Sequence, residues 1–208
     1  MKNIFLLFSS LFLLFSCQQK DENLDLKYEV LNQLIAEYIS NDKLADTDLE
    51  YIYHISVPKE LNIEQKISNS LNDEEIPPPP EGRIHISVDS IFNKQDVESM
   101  CLQEKINLKF QLDSNRINSK VKFINPKKLK QLIEENLPAK EYWKKFREVF
   151  GNKCLRTYSV PYFNKTENIC ILSFTESCDS LWGRGFIGIY KKKNGKWELI
   201  KTSNHWIS

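Results

Sequence analysis

From Leu26 onward the apolar positions fall at Leu26, Val30, Leu34, Ile35, Tyr38 and Ile39. Steps of three and four put them on one face of an amphipathic helix, which Asn41-Asp42 closes. The period then becomes two: Tyr51, Tyr53, Ile55 and Val57 alternate with Ile52, His54 and Ser56, a half-buried strand stopped by Pro58. Residues 63–71 carry the pattern of a short helix, and Ile84, Ile86 and Val88 alternate with His85 and Ser87 in a second short strand. A short helix with Met100 and Cys101 is predicted over 96–104, and strands over 106–112 and 121–124, with Asp113-Ser114-Asn115 turning after the first of them.

Asn125-Pro126 pairs a capping side chain with proline at the first helical position. The helix it starts would bury Leu129, Leu132, Ile133 and Leu137 and end at Pro138; a second, over 141–150, would bury Trp143, Phe146, Val149 and Phe150 and stop at Gly151. The last third reads as a meander of strands over 155–160, 168–174, 185–191 and 196–202, with Trp206-Ile207 packed against it. Asn194-Gly195 is a strong hairpin signal, because both central residues of a type I′ turn need positive φ. Setting Lys193 across from Lys196 places Tyr190 opposite Leu199 and Ile189 opposite Ile200, so the hairpin is expected in the middle of the sheet. The fold class is α+β, a mainly antiparallel sheet packed on amphipathic helices.

Composition adds a core and removes some partners. Hydrophobic residues are 41% of 208 and aromatics 12%, which is unlike a disordered chain. Lys+Arg (29) and Asp+Glu (28) nearly cancel, so there is no overall pull toward nucleic acid or anionic lipid. Pro77-Pro78-Pro79-Pro80 forms a stiff spacer of roughly 12 Å in the polyproline II conformation. It divides a helix-plus-strand portion (26–76) and a proline loop (77–82) from the main portion (83–208), all within one domain.

The amino terminus has the layout of an export signal: Met1-Lys2-Asn3, an apolar run from Ile4 to Phe15 broken only by Ser9-Ser10, then Ser16 and Cys17. The run is shorter than the roughly 20 apolar residues a spanning helix needs. Leu14-Phe15-Ser16-Cys17 resembles a bacterial lipoprotein signal, which implies cleavage after residue 16 and acylation of Cys17. Several acyl chains on one cysteine give stable anchoring, so the membrane partner is reached through lipid at Cys17. Residues 17–25 would be the tether; its Gln19-Lys20-Asp21-Glu22 resembles the signal that carries lipoproteins of the Bacteroidota to the outer face of the outer membrane, the periplasmic face being the alternative.

Besides Cys17 there are Cys101, Cys154, Cys170 and Cys178, an even number that allows three two-bond pairings in an oxidising envelope. None lies in a Cys-x-x-Cys pair or close to a histidine, so no metal site is expected. Ser159, Phe163-Asn164-Lys165, residues 178–185 (CDSLWGRG), Asn194-Gly195-Lys196-Trp197 and Trp206-Ile207-Ser208 follow a pattern similar to the C-terminal block of uncharacterised small lipoproteins and secreted proteins of the Bacteroidota. The likeness spans residues 146–208 and implies a fold rather than an activity. In that block a Cys-Gly-x-Leu-Cys-Gly-x-Gly run precedes a strand; here Asp179 replaces the first glycine and Trp182 the second cysteine. Cys178 therefore needs another partner. A hairpin of strands 155–160 and 168–174 turning near Lys165 would bring Cys154 and Cys178 together past its open end, within the Cα separation of about 5.5 Å that a disulfide needs. Cys170, in mid-strand, reads as a small buried hydrophobe.

Motifs for catalysis are missing: no Gly-x-Ser-x-Gly, His-Glu-x-x-His, Walker or dinucleotide-binding run occurs. Gly183-Arg184-Gly185 is too short to cradle a phosphate, and its glycines suit a tight bend where two strands approach. His54 and His85 sit on the polar faces of two short strands and are the candidates for a cross-strand site beside Ser56 or Ser87, but no carboxylate stands at supporting spacing. His205 reads as packing. Asp42, Asp46, Asp48 and Glu50 have alternating spacing but lack the glycine of a calcium loop, and they and Asp73-Glu74-Glu75 read as solvated loops. Asp89-Ser90-Ile91 and Asp179-Ser180-Leu181 resemble short O-glycosylation sites of Bacteroidota envelope proteins. The expectation is an anchored envelope lipoprotein without cofactor that binds a protein or glycan partner, the alternative being an envelope hydrolase whose site leaves no motif.

Overall fold

The computed structural model describes residues 21–44, 49–58, 60–64 and 83–208. The export signal, Cys17, Asp46, Asp48, Asp73-Glu74-Glu75 and the tetraproline lie outside the described residues.

The first helix, α1 (Leu24–Leu44), begins two residues before the apolar pattern does. Asp21 is already built into the fold: its carbonyl accepts from Leu24 N, and its carboxylate from Asn23 N and, at 2.6 Å, from Lys27 Nζ. Lys27 is fully buried, and burial holds its ammonium below the usual range against the opposing pull of Asp21. The expected tether to residue 25 is therefore cut short, because Asp21 gives Lys27 a counter-charge. Tyr28, Val30, Leu31, Leu34 and Ile35 form the buried stripe of α1.

Beneath α1 lies a sheet of β1 (Tyr51–Ser56), β4 (Cys154–Ser159), β5 (Tyr162–Phe163), β6 (Ile169–Ser177), β7 (Gly183–Lys193) and β8 (Lys196–Ile207). The order is β1-β4-β6-β7-β8, with β5 continuing the line of β4 along β6. Only β1 and β4 are parallel, with Tyr53 opposite Arg156. Tyr53, Ile55, Tyr158, Phe163, Cys170, Leu172, Phe174, Tyr190 and Trp197 meet the stripe of α1 in the main core. Edge strand β1 pairs with β4, and α1 and β1 share the main core with the strands that follow the tetraproline. Asn194 and Gly195, at φ 51° and 78°, make the expected turn.

The opposite face carries two separate cores. Over β5, β6 and β7, α2 (Lys94–Asn107) and a parallel pair, β2 (Glu60–Glu64) with β3 (Arg83–Ser87), cover Tyr162, Ile171, Ile187 and Ile189. Over β1 and β4, α3 (Pro126–Glu134) and α4 (Ala139–Phe150) cover Ile52 and Leu155 through Leu129, Leu132, Trp143 and Phe146. Helix α2 also completes the outer side of β5. The side chain of Gln103 donates to the Phe163 carbonyl (2.7 Å) and accepts from Phe163 N (2.9 Å).

Several sequence expectations change. Residues 63 and 64 are strand in β2, paired with β3, where a helix was expected. The strand expected over 106–112 is replaced by two more residues of α2, followed by a turn: a capping box at Asn93 and Asp96 starts that helix early, and buried Asn107 donates to the Pro161 carbonyl. Residues 121–124 give one bridge, Phe123 to Tyr53. Ile133 and Val149, expected inside, are 56% and 47% exposed, because α3 and α4 each present a narrower face than their apolar pattern. The last hairpin is not central: β8 is the edge of the sheet. Tyr190 faces Leu199 as expected, but Ile189 faces Lys201, because β8 bulges between them. Trp206 and Ile207 are the end of β8 itself, opposite Gly185 and Arg184.

Candidate functional site

One rung of the sheet carries charge under α1. Tyr53, Arg156, Glu176 and Arg184 stand opposite one another on β1, β4, β6 and β7. Alternation alone puts them there: Arg156 follows Cys154 and precedes Tyr158, and Glu176 follows Leu172 and Phe174, all core-facing positions. Nε of Arg156 donates to Glu176 Oε2 (3.0 Å). Nη1 donates to Asp42 Oδ2 (2.7 Å) and the Tyr53 hydroxyl (3.2 Å), and Nη2 to Asp42 Oδ1 (3.1 Å) and Glu176 Oε2 (2.8 Å).

Those bonds use every N–H of the guanidinium. Its plane is also walled by Tyr51, 3.7 Å from the ring centre, and Tyr38, 4.9 Å. Tyr51 donates to Glu176 Oε1 at 3.0 Å, and Arg184 approaches Oε2 at 3.5 Å. Burial opposes the charge on Arg156, but Asp42 and Glu176 outweigh it and hold its pKa above the ordinary value. Burial pushes the Tyr38 and Tyr51 hydroxyls up to about 12. The cluster is closed on itself, with no donor of Arg156 left for a ligand. It ties the last turn of α1 to three strands.

The neighbouring rung faces the other way. His54, Thr157, Thr175, Gly185 and Trp206 stand in line across β1, β4, β6, β7 and β8. Ser173 and Ser177 flank Thr175 along β6, and all of these side chains except the glycine are partly exposed. This strip runs diagonally between the two cores of that face and separates them. The indole of Trp206 packs over the two glycines: a Cβ on Gly185 would stand 2.5 Å from Nε1, and one on Gly183 3.0 Å from Cζ3. That contact, rather than a bend, is what Gly183-Arg184-Gly185 permits.

The two candidate histidines are not brought together. His54 faces Thr157 in the large sheet, whereas His85 faces Asn62 in the β2–β3 pair. Burial lowers the pKa of His54, which favours neutral imidazole. Among the described residues no group of three His, Cys, Asp or Glu side chains is placed to hold a metal ion. His205 stacks on Phe186 with ring centres 5.8 Å apart.

Cys154 and Cys178 are joined in a disulfide, while Cys170 is fully buried and Cys101 partly so, both as free thiols. Arg147 Nη2 donates to the Cys178 carbonyl, fixing α4 to the bonded loop. Asp89 accepts from Ile91 N and Phe92 N, and Asp179 from Leu181 N, so both Asp-Ser motifs are tight turns. Asp42 and Glu50 are spent on Arg156 and Lys153. The charged ladder and the indole packed over two glycines form no contiguous motif. The signal was the two-residue period, which puts Arg156 and Glu176 on a buried face.

No family model matches the chain, and neither a curated protein nor a solved structure matches it. No described helix is long and apolar enough to cross a membrane.

Proposed function

We propose that the chain is an extracytoplasmic lipoprotein, held at the envelope by acyl chains on Cys17, that works by binding a ligand rather than by catalysis. The observation that carries this reading is the Cys154–Cys178 disulfide, a bond that forms and persists in oxidising compartments. It joins the start of β4 to the segment just after β6, so it locks the strands that hold the charged rung.

The chemistry of the two rungs supports a binding role. Arg156, Glu176 and Asp42 satisfy one another, and His54 has no carboxylate beside it among the described hydrogen bonds and ion pairs to make it a general base. Four peptide units separate Cys17 from Asp21, whose carbonyl is bonded to the first turn of α1, a reach of at most about 14 Å. The fold would then sit close to the bilayer with the amino end of α1 toward it. The outer face of the outer membrane is the favoured side, on the likeness of Gln19-Lys20-Asp21-Glu22 to a surface-export signal. Fractionation of cells expressing the wild type and Cys17→Ser tests the anchor. The wild type should sediment with membranes and the variant should appear in soluble fractions or keep its signal; unchanged sedimentation and processing would refute it.

A further inference from the structure

We infer that the strip between the two cores is a binding trough for a neutral, polyhydroxylated chain, a glycan, with the Trp206 indole as its stacking platform. The inference rests on the binding reading above but not on the lipid anchor.

The two faces of the sheet treat their polar groups differently. On the α1 face, Arg156 and Glu176 are buried and fully hydrogen-bonded. On the other face, apolar residues supply both ends of a diagonal, Ile52 and Leu155 at one corner and Ile171, Ile187 and Ile189 at the other. Between them the inward positions change to Thr157, Ser173, Thr175 and Ser177, and no hydroxyl of these four bonds to another described residue. A sheet face covered at both corners would be expected to continue apolar across the middle, as the α1 face does. Instead it holds donors and acceptors that no described residue takes up, along a rung that crosses five strands, roughly 19 Å from His54 to Trp206.

The ends of the rung specify the occupant. Two glycines let the indole of Trp206 pack closely over the backbone of β7, and the side chain stays partly exposed. A partly exposed indole held against a strand is a surface for the apolar face of a sugar ring, an amphipathic use typical of tryptophan. At the opposite end, His54 offers one donor and one acceptor. No Asp, Glu, Lys or Arg stands on this rung, whereas the charged rung points to the opposite face. A trough with hydroxyls, an imidazole and an indole, but no fixed charge, complements a neutral hydroxyl-rich ligand; an acidic glycan or a charged peptide would lose its hydration there without a counter-charge. Glycoside hydrolysis normally needs a pair of carboxylates flanking the bond, and the rung provides none. The trough would bind a glycan without cutting it.

The test uses the full-length protein in detergent, titrated with neutral hexasaccharides of glucose, mannose, galactose and N-acetylglucosamine and with hexagalacturonate as the acidic probe. Tryptophan fluorescence and calorimetry give the affinities. At least one neutral hexasaccharide should bind and perturb the fluorescence. Thr157→Val/Thr175→Val, which keeps the shape and removes two hydroxyls, should weaken binding about tenfold. Trp206→Ala should weaken it at least as much, with thermal melts confirming that both variants are folded. Absence of binding by every neutral probe at millimolar concentration, unchanged affinity in the double valine variant, or preference for hexagalacturonate would each overturn the assignment. Fractionation of Cys17→Ser reads the anchor and not the trough, so the two readings fail separately.

Discussion

Removing Arg156 is the most informative perturbation of the fold. In Arg156→Met the carboxylate of Glu176, 1% exposed, loses two charge-assisted hydrogen bonds and keeps only the Tyr51 hydroxyl and Arg184 at 3.5 Å. Breaking a buried pair from one side leaves an uncompensated charge, at a cost of about 3–5 kcal/mol. Asp42, 26% exposed, can return to water and adds little to that. For a domain of this size the loss corresponds to a fall in Tm of roughly 10 °C. Arg156→Met/Glu176→Leu removes both charges, and apolar replacement of a buried pair is often close to neutral. The double variant should therefore lose less than half of what the single variant loses. Urea unfolding followed by tryptophan fluorescence, with the disulfide intact and m unchanged, gives both values. A single-variant loss below about 1 kcal/mol, the scale of an exposed pair, would refute the idea that the rung is a buried ion cluster. Additive losses would refute the coupling.

Three other outcomes follow from particular contacts. In Gly185→Ala the new Cβ would meet Trp206 Nε1 at 2.5 Å and the Phe174 carbonyl oxygen at 2.9 Å, so urea unfolding should show a loss of about 1–3 kcal/mol, smaller in a Trp206→Ala background. Cys154→Ala/Cys178→Ala opens a loop with sequence separation 24 and should cost about 3 kcal/mol; equal stability of the variant and the oxidised wild type would contradict this. Burial lowers the pKa of His54 from 6.5, so the unfolded chain takes up the proton first. That contribution is complete above the unfolded value and is lost as pH falls through the folded one. His54→Gln should flatten this limb of the stability curve as pH falls below the unfolded value of 6.5, and parallel curves would count against it.

Local chemistry made part of this fold legible. Asn194-Gly195 marks its turn because few other residues tolerate two successive positive φ values, and Asn125-Pro126 marks the start of α3 because the cap and the proline act within one turn. What the sequence did not reveal depends on residues far apart in the chain. The register slip at Ile189 comes from a bulge in β8, and Asn204, at φ 52°, lies in a second irregular stretch of that strand. The strand expected over 106–112 lost to a helix whose buried polar face, Gln103 and Asn107, serves the backbone around β5. Those two residues look like solvent-facing positions until the strand they serve is known. The same holds for the candidate site. Arg156, Glu176 and Arg184 are 20 and 8 residues apart along the chain and meet only because β4, β6 and β7 align them. The reading of His54 and His85 as neighbours failed because short strands with matching alternation carry no information about which sheet they join.

The most direct measurement of the account is the intact mass of the protein purified from native membranes without reductant, followed by peptide mapping. The expected product is a chain that begins at an acylated Cys17, with Cys154 and Cys178 recovered as one linked peptide and Cys101 and Cys170 as free thiols. A chain that retains residues 1–16 without lipid, or in which Cys154 is recovered as a free thiol, would contradict it.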